Sequence, residues 1–331
     1  MIFEPLIILI ILVAFAFDFF NGMHDSANSI ATVVSTRVLS PIKAVGMAAM
    51  FNFIALFVFE PKVANTIGKG IVNPAIITPI VILAALLGAI SWILITWFFG
   101  LPISSSHTLI GGLIGAAIVK SGFESIAIGP FSNILAFIVI SPLAGTVTAF
   151  IVMSLIIKIF RKRSLTSTTQ YFRRFQLFSA ALYSLSHGGN DAQKTMGIVA
   201  VLLFSAGYLG PEFYVPFWVA MMAHLAIALG TLTGGWRIVH TMGGKITKLD
   251  PMHGFAAETS GATIVIGSTL LGIPVSTTHV IAGSIIGVGA TRRLSAVRWG
   301  VARRIMWTWI ITIPAAAVFS ALVYLILVQL A

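Results

Sequence analysis

The sequence predicts an all-α polytopic membrane protein of two inverted repeats, each three membrane crossings plus one re-entrant helical hairpin, with broken helices at the centre. Three observations lead there. Apolar residues make up 58% of the 331 residues and charged residues only 9%, against roughly 25% charged in soluble domains. A segment of the first half recurs in the second. Lys and Arg collect in particular loops. This composition excludes an ordinary soluble enzyme and a disordered chain, and the lack of cysteine excludes a disulfide-stapled one. The long apolar runs lack the alternation of barrel strands. The net charge of +11 reads as loops obeying the positive-inside rule, not as a nucleic-acid surface.

A span needs about 20 apolar residues. Candidates run over 5–35, 44–60, 76–99, 103–119, 131–157, 175–204, 214–235, 255–271, 275–290 and 305–329. The first starts behind Glu4, without basic residues or a cleavage site, so it reads as a retained span. It is interrupted by Asn21-Gly-Met-His-Asp-Ser-Ala-Asn28, and the sixth by His187-Gly-Gly-Asn-Asp-Ala-Gln-Lys194. Polar residues at such depth are costly unless they face a cavity, so both spans are expected to break there.

Gly100-Leu-Pro-Ile-Ser-Ser-Ser-His-Thr-Leu-Ile-Gly-Gly-Leu-Ile-Gly115 matches Gly272-Ile-Pro-Val-Ser-Thr-Thr-His-Val-Ile-Ala-Gly-Ser-Ile-Ile-Gly287 at an offset of 172, with seven identities. The interrupted spans match at an offset of 166, through Gly22-x-x-Asp25 and Gly188-x-x-Asp191. The chain therefore divides into a first repeat (1–157), a basic linker (158–174) and a second repeat (175–331). If 76–99 and 103–119 form a re-entrant hairpin, each half crosses three times, and an odd number inverts the second half. Loops 36–43, 158–174, 236–250 and 291–304 then share one side and hold 16 basic residues; the other side holds Lys62, Lys69 and Lys120. The bias makes the first side cytoplasmic and places both termini outside.

Inverted repeats with polar hairpin tips suit a secondary transporter. A helix that starts at a tip exposes N–H groups and a positive dipole end to an anion. Ser104, Ser105 and Ser106 add hydroxyls at one tip, and Ser276, Thr277 and Thr278 at the other. Capping accounts for one hydroxyl per tip; the remainder point to a tetrahedral oxyanion held from both sides. Asp25 and Asp191, with Asn28 and Asn190, offer hard oxygen ligands for Na+ or a proton acceptor. Lys194 is placed to meet the anion or to pair with Asp191 or Glu258. His107 and His279 follow the tips, where hydrogen bonding that orients the hairpin is weighed against proton carriage. Asp18 lies seven residues before Asp25, with function and structure evenly matched. The glycines at Gly111, Gly112, Gly115, Gly283 and Gly287 suit close helix packing. No Walker A motif is present.

Gly22-Met-His-Asp-Ser-Ala-Asn-Ser29 and Gly188-Gly-Asn-Asp-Ala-Gln-Lys-Thr195 resemble the two copies of the GANDVANA-type signature of the inorganic phosphate transporter (PiT) family. The tip Pro274–His279 and the stretch Gly244–Glu258 are similar to that family too. The resemblance spans nearly the whole chain and implies phosphate symport with H+ or Na+. It implies that Asp25, Asn28, Asn190 and Asp191 serve the ion and substrate site, that the Ser/Thr tips grip phosphate, and that Glu258 is the carboxylate before the second hairpin. His24 and Lys194 depart from the signature's asparagines. Asn52 stands where many Na+-coupled members carry glutamate, which tilts the expectation towards protons. The short linker resembles compact prokaryotic members.

The expected function is import of inorganic phosphate by cation symport through alternating access in a prokaryotic inner membrane. A sulfate or related oxyanion permease is the alternative within transport. An intramembrane enzyme using Asp25 and Asp191 as a catalytic pair is the alternative outside it, and a pure channel fits an enclosed two-tip site poorly. No cofactor beyond the coupling ion is expected. The expected partners are phosphate and membrane lipid, with homodimer formation left open.

Overall fold

A computed structural model describes residues 3–68 and 76–330. Lys69, counted above among the basic residues, lies outside them. The chain forms α1 (Pro5–Ser35), α2 (Pro41–Ile54), α3 (Lys62–Gly68), α4 (Pro79–Phe99), α5 (Ser105–Ser121) and α6 (Ile128–Phe160), then α7 (Leu165–Ser205), α8 (Phe217–Thr233), α9 (Trp236–His240), α10 (Pro251–Leu270), α11 (Thr277–Ala290) and α12 (Trp299–Leu330). Proline opens α1, α2, α4 and α10, where its missing N–H costs nothing and its fixed φ fits the first turn. In both hairpins the turn begins at a glycine with left-handed backbone, Gly100 (φ 64°) and Gly272 (φ 71°), a conformation that penalises a Cβ.

Among the described residues, four helices are long and apolar enough to cross a membrane: α1, α4, α6 and α12. The pair formed by α8 and the segment Trp236–Lys245, bent by 65°, makes a fifth if counted as one span. The surface is inverted relative to a soluble protein. Leu135, Val139, Leu143 and Val147 line an exposed stripe of α6, whereas Asp18, Asp25, Asp191 and Glu258 are buried. Four-residue spacing puts the apolar stripe on one helix face.

The expected breaks at 21–28 and 187–194 are not there. Both segments stay helical inside α1 and α7. Several of their side chains meet buried polar partners on other helices, although the Oδ1 atoms of Asn21, Asn28 and Asn190 meet none. The glycines serve close approach instead. A Cβ on Gly22 would stand 2.1 Å from the Ile227 carbonyl oxygen of α8, and one on Gly188 2.5 Å from the Asn52 carbonyl oxygen of α2. The breaks that do occur lie between α4 and α5, between α10 and α11, and at the bend after α8.

Packing keeps its pattern when the halves are exchanged. Helix α5 lies on α12 as α11 lies on α6; α1 lies on α8 as α7 lies on α2; α4 lies on α5 as α10 lies on α11. The glycines expected to permit close packing do so: a Cβ on Gly115 would meet the Ala317 carbonyl oxygen at 2.0 Å, and one on Gly287 that of Thr146 at 2.2 Å. The halves thus interlock around a shared interior. Residues 158–174 are helical except at 161–164, where α6 gives way to α7.

Candidate functional site

Helices α5 and α11 begin at the same place. Ser104 and Ser276 are their N-caps, accepting from the backbone N–H of His107 (3.3 Å) and His279 (3.2 Å). The rings of His107 and His279 meet edge to face, centroids 4.9 Å apart, and His279 stacks on Trp309 at 4.0 Å. Trp309 in turn donates to the Pro102 carbonyl at 3.1 Å. Ring packing of His107, His279 and Trp309 thus joins the two tips.

Three of the remaining tip hydroxyls reach the signature aspartates, while Ser106 Oγ makes no hydrogen bond. Ser105 donates to Asp25 Oδ2 (3.2 Å), Thr277 to Asp191 Oδ2 (3.2 Å) and Thr278 lies 3.5 Å from Asp25 Oδ1. Asn28 Nδ2 donates to Thr278 Oγ1 at 2.9 Å, while Asn28 Oδ1 makes no hydrogen bond. Lys194 pairs with Asp191 and donates to the Val275 carbonyl at 3.1 Å. Ligand atoms of Asp25, His187 and Asp191 all lie within 4.8 Å of one another. Two carboxylates, an ammonium and hydroxyls from both tips thus share one buried site. Its carboxylates, hydroxyls and free amide oxygen suit a hard monovalent cation, and its lysine and tip helices suit an anion beside it.

Sequence reasoning gave no role to several residues here. His24 bonds Asp25 Oδ1 at 2.7 Å and reaches the Leu101 carbonyl at 3.2 Å, tying α1 to the first hairpin turn. His187 lies 3.3 Å from Asp191 Oδ2 and 3.2 Å from Asn52 Oδ1. Asn52 Nδ2 donates to Thr231 Oγ1, which spends its own proton on the Ile227 carbonyl. Asn52 therefore turns its Oδ1 to His187 Nδ1, and His187 Nε2 makes no hydrogen bond. Tyr183 donates to the Thr277 carbonyl at 2.9 Å. The i, i+4 spacing of His187 and Asp191 on a helix was a usable signal; Tyr183 precedes His187 by the same spacing, but its partner Thr277 lies far away in sequence.

Two predicted residues stand apart. Asn190 donates to Thr269 of α10 at 3.0 Å, and its Oδ1 makes no hydrogen bond. Glu258 has its own pocket, taking hydrogen bonds from Thr32 (2.6 Å), Gln176 (3.0 Å) and Ser179. Thr32 is seven residues past Asp25, about 10 Å along α1 at 1.5 Å per residue. Lys194 pairs with Asp191, one of the two carboxylates expected for it.

A cleft of about 600 Å³ lined by Thr66, Pro130, Phe137 and Pro274 reaches Ser106 and His107. A small space beside it touches both Ser106 and Lys194. A second cavity, about 550 Å³, lies against the first hairpin turn and is lined by Gly100, Arg237, His240 and Lys245.

Known proteins resemble this chain over nearly its whole length. The model of a family described as "Phosphate transporter family" matches residues 21–168 and again 161–320. A Rhizobium meliloti protein named "Probable low-affinity inorganic phosphate transporter" is 60% identical over 97% of this chain and 96% of its own length. A Bacillus subtilis protein of the same name is 47% identical over 97% of both. A solved structure titled "The sodium-dependent phosphate transporter" superposes with a TM-score of 0.88 at 28% identity, covering 99% of this chain and 100% of its own.

Proposed function

Since the chain belongs to the phosphate transporter family, we propose that it imports inorganic phosphate across the cell membrane by symport with a cation, H+ or Na+, through alternating access. One observation carries the reading. Hydroxyls of both hairpin tips, the Lys194 ammonium and the carboxylates of Asp25 and Asp191 converge on one buried site. Phosphate is held by Ser105, Ser106, Thr277 and Thr278, with Lys194 as the cationic contact; Ser104 and Ser276 fix the tips and present their helices' N–H groups. The cation is held by Asp25, Asn28 and Asp191, with Asn190 at the edge and Glu258 as a second station. A cation beside the carboxylates offsets the charge of the arriving phosphate, and that mutual neutralisation is the physical basis of coupling.

The exchange-symmetric packing supports residues 1–157 and 175–331 as two repeats, and the distribution of basic residues supports their inversion with both termini outside. In that arrangement the cleft at Ser106 and the cavity at Gly100 open to opposite sides of the membrane. The helices α4–α5 and α10–α11 are the re-entrant hairpins.

The enzyme reading loses ground. Asp25 and Asp191 do approach each other, yet each has its own partner, His24 for one and Lys194 with His187 for the other. An aspartyl pair that works as acid and base shares one proton without such partners. Uptake of labelled phosphate by purified protein in liposomes, with excess sulfate as competitor, tests the proposal. Phosphate is expected to enter chemically unchanged and sulfate to compete poorly; strong sulfate competition favours the oxyanion-permease reading, and hydrolysis or no uptake overturns transport.

A further inference from the structure

One buried acid is not used by the site above. Asp18 of α1 is fully buried. Its Oδ1 accepts a 2.6 Å hydrogen bond from Thr195 of α7, and its Oδ2 makes none. Asn21 follows three residues later, on the same helix face. Its amide lies beside the Asp18 carboxylate, and its Oδ1 also lacks a partner. The surroundings are apolar: Phe17, Met196, Val199 and Ile227 belong to the same core cluster.

A buried carboxylate oxygen without a donor is costly, and among the described residues no ion pair meets Asp18. The nearest ammonium, Lys194, is held by Asp191 and the Val275 carbonyl. Asp191 itself adds negative charge nearby. Among the described residues, α4 has no titratable side chain, and α8 has only His224, whose Nδ1 is bound to the Ala220 carbonyl of its own helix. Thr195 supplies one donor to Asp18 Oδ1, but Asp18 Oδ2 and Asn21 Oδ1 stay without one, and two such buried oxygens call for a positive charge. A Na+ ion bridges such oxygens directly. A proton on Asp18 Oδ2 donates to Asn21 Oδ1 once the amide is suitably turned.

We propose that Asp18, Asn21 and Thr195 form a further monovalent-cation site, for Na+ or H+, distinct from the Asp25–Asp191 cluster and from Glu258. It shares helices α1 and α7 with the central site, and Thr195 adjoins Lys194 in the chain. Loading it therefore removes one negative charge from the neighbourhood where the anion is to bind. This deepens the symport reading by adding a cation station, but its test needs no transport.

The test is thermal unfolding of purified protein without phosphate, in choline chloride titrated with NaCl at fixed pH, and separately titrated with acid at fixed choline. Asp18→Asn imitates the loaded site: the charge is gone and the new amide can donate to Asn21 Oδ1. It is expected to unfold at or above the wild-type temperature in cation-poor alkaline buffer, and to lose part of the rise that the wild type shows with Na+ or acid. Asp25→Asn is expected to keep that part. Asn21→Ala is expected to shift the cation midpoint about tenfold. Loss of part of the Na+ response in Asp18→Asn identifies the ion as sodium, and loss of part of the acid response alone identifies it as a proton. If the wild type responds to neither, or if Asp18→Asn unfolds early while keeping the full response, Asp18 is a structural partner of Thr195 and the site is refuted. Wild-type phosphate uptake, measured separately, decides the transport reading, so the two fail independently.

Discussion

Asp25 and Asp191 occupy equivalent positions of the two signatures, yet their surroundings differ. Asp25 bonds an imidazole and two tip hydroxyls, whereas Asp191 neutralises Lys194. Asp25→Asn is therefore expected to fold normally and lose most transport. Asp191→Asn is expected to destabilise as well, because breaking a buried pair on one side costs about 3–5 kcal/mol. Adding Lys194→Gln to it is expected to restore stability but not transport. Unfolding and uptake of the three variants check this; equal stability of the two single variants contradicts it. At the tips, Ser105→Ala and Thr277→Ala are each expected to weaken phosphate binding roughly ten- to a hundredfold, the worth of about 1.5–3 kcal/mol for a hydrogen bond to a charged group. Direct binding of labelled phosphate measures it.

At the level of elements, the duplicated motif disclosed both hairpins, since Pro, Ser, His and Gly recur in order. It also suggested breaks in α1 and α7 that the structure lacks. A glycine among polar residues reads alike whether it opens a helix or admits a neighbour's backbone, and only the positions of Ile227 and Asn52 settle which. Gly22→Ala is accordingly expected to lower the unfolding temperature sharply, because a Cβ there collides with a main-chain oxygen. Gly46→Ala in α2, with nothing within 4 Å, is expected to be neutral or to stabilise by up to ~1 kcal/mol. The reverse order contradicts the close-approach account.

Helix α10 carries a pH-sensitive end. Asp250 caps it through Met252 and His253 and pairs with Arg292 at 2.7 Å. Burial alone would raise its pKa; bonds and charge from His253, with Arg292, outweigh that and hold it at about 2. With a folded value below the ordinary carboxylate one, its contribution is present above about pH 4 and lost as pH falls towards 2. Asp250→Asn is expected to flatten stability in that window; an unchanged acid profile contradicts it.

Across the whole molecule, the repeated strings and the residues that the structure brings together at the centre were legible because signature and tips are local strings. What stayed hidden was long-range pairing: Tyr183 with Thr277, His187 with Asn52, and Gln176 with Glu258. None of these has a spacing that marks it. The proposed topology makes its own prediction, helped by the absence of native cysteine. Cysteines at the exposed positions Lys162 and Ser295 are expected to react with an impermeant thiol reagent from the cytoplasmic side, and one at exposed Glu124 from outside. Labelling of 162 and 295 from opposite faces contradicts the inverted arrangement.

The central claim, phosphate movement coupled to a cation at a site shared by both repeats, is tested most directly by concentrative uptake. Liposomes holding the purified protein are loaded with a known phosphate concentration and given an inward Na+ gradient, an inward proton gradient, or neither. The account predicts that one of the gradients drives labelled phosphate above equilibrium, that removing the gradient leaves only equilibration, and that Asp25→Asn abolishes accumulation. Equal accumulation with and without the gradients, or undiminished accumulation in Asp25→Asn, would contradict it.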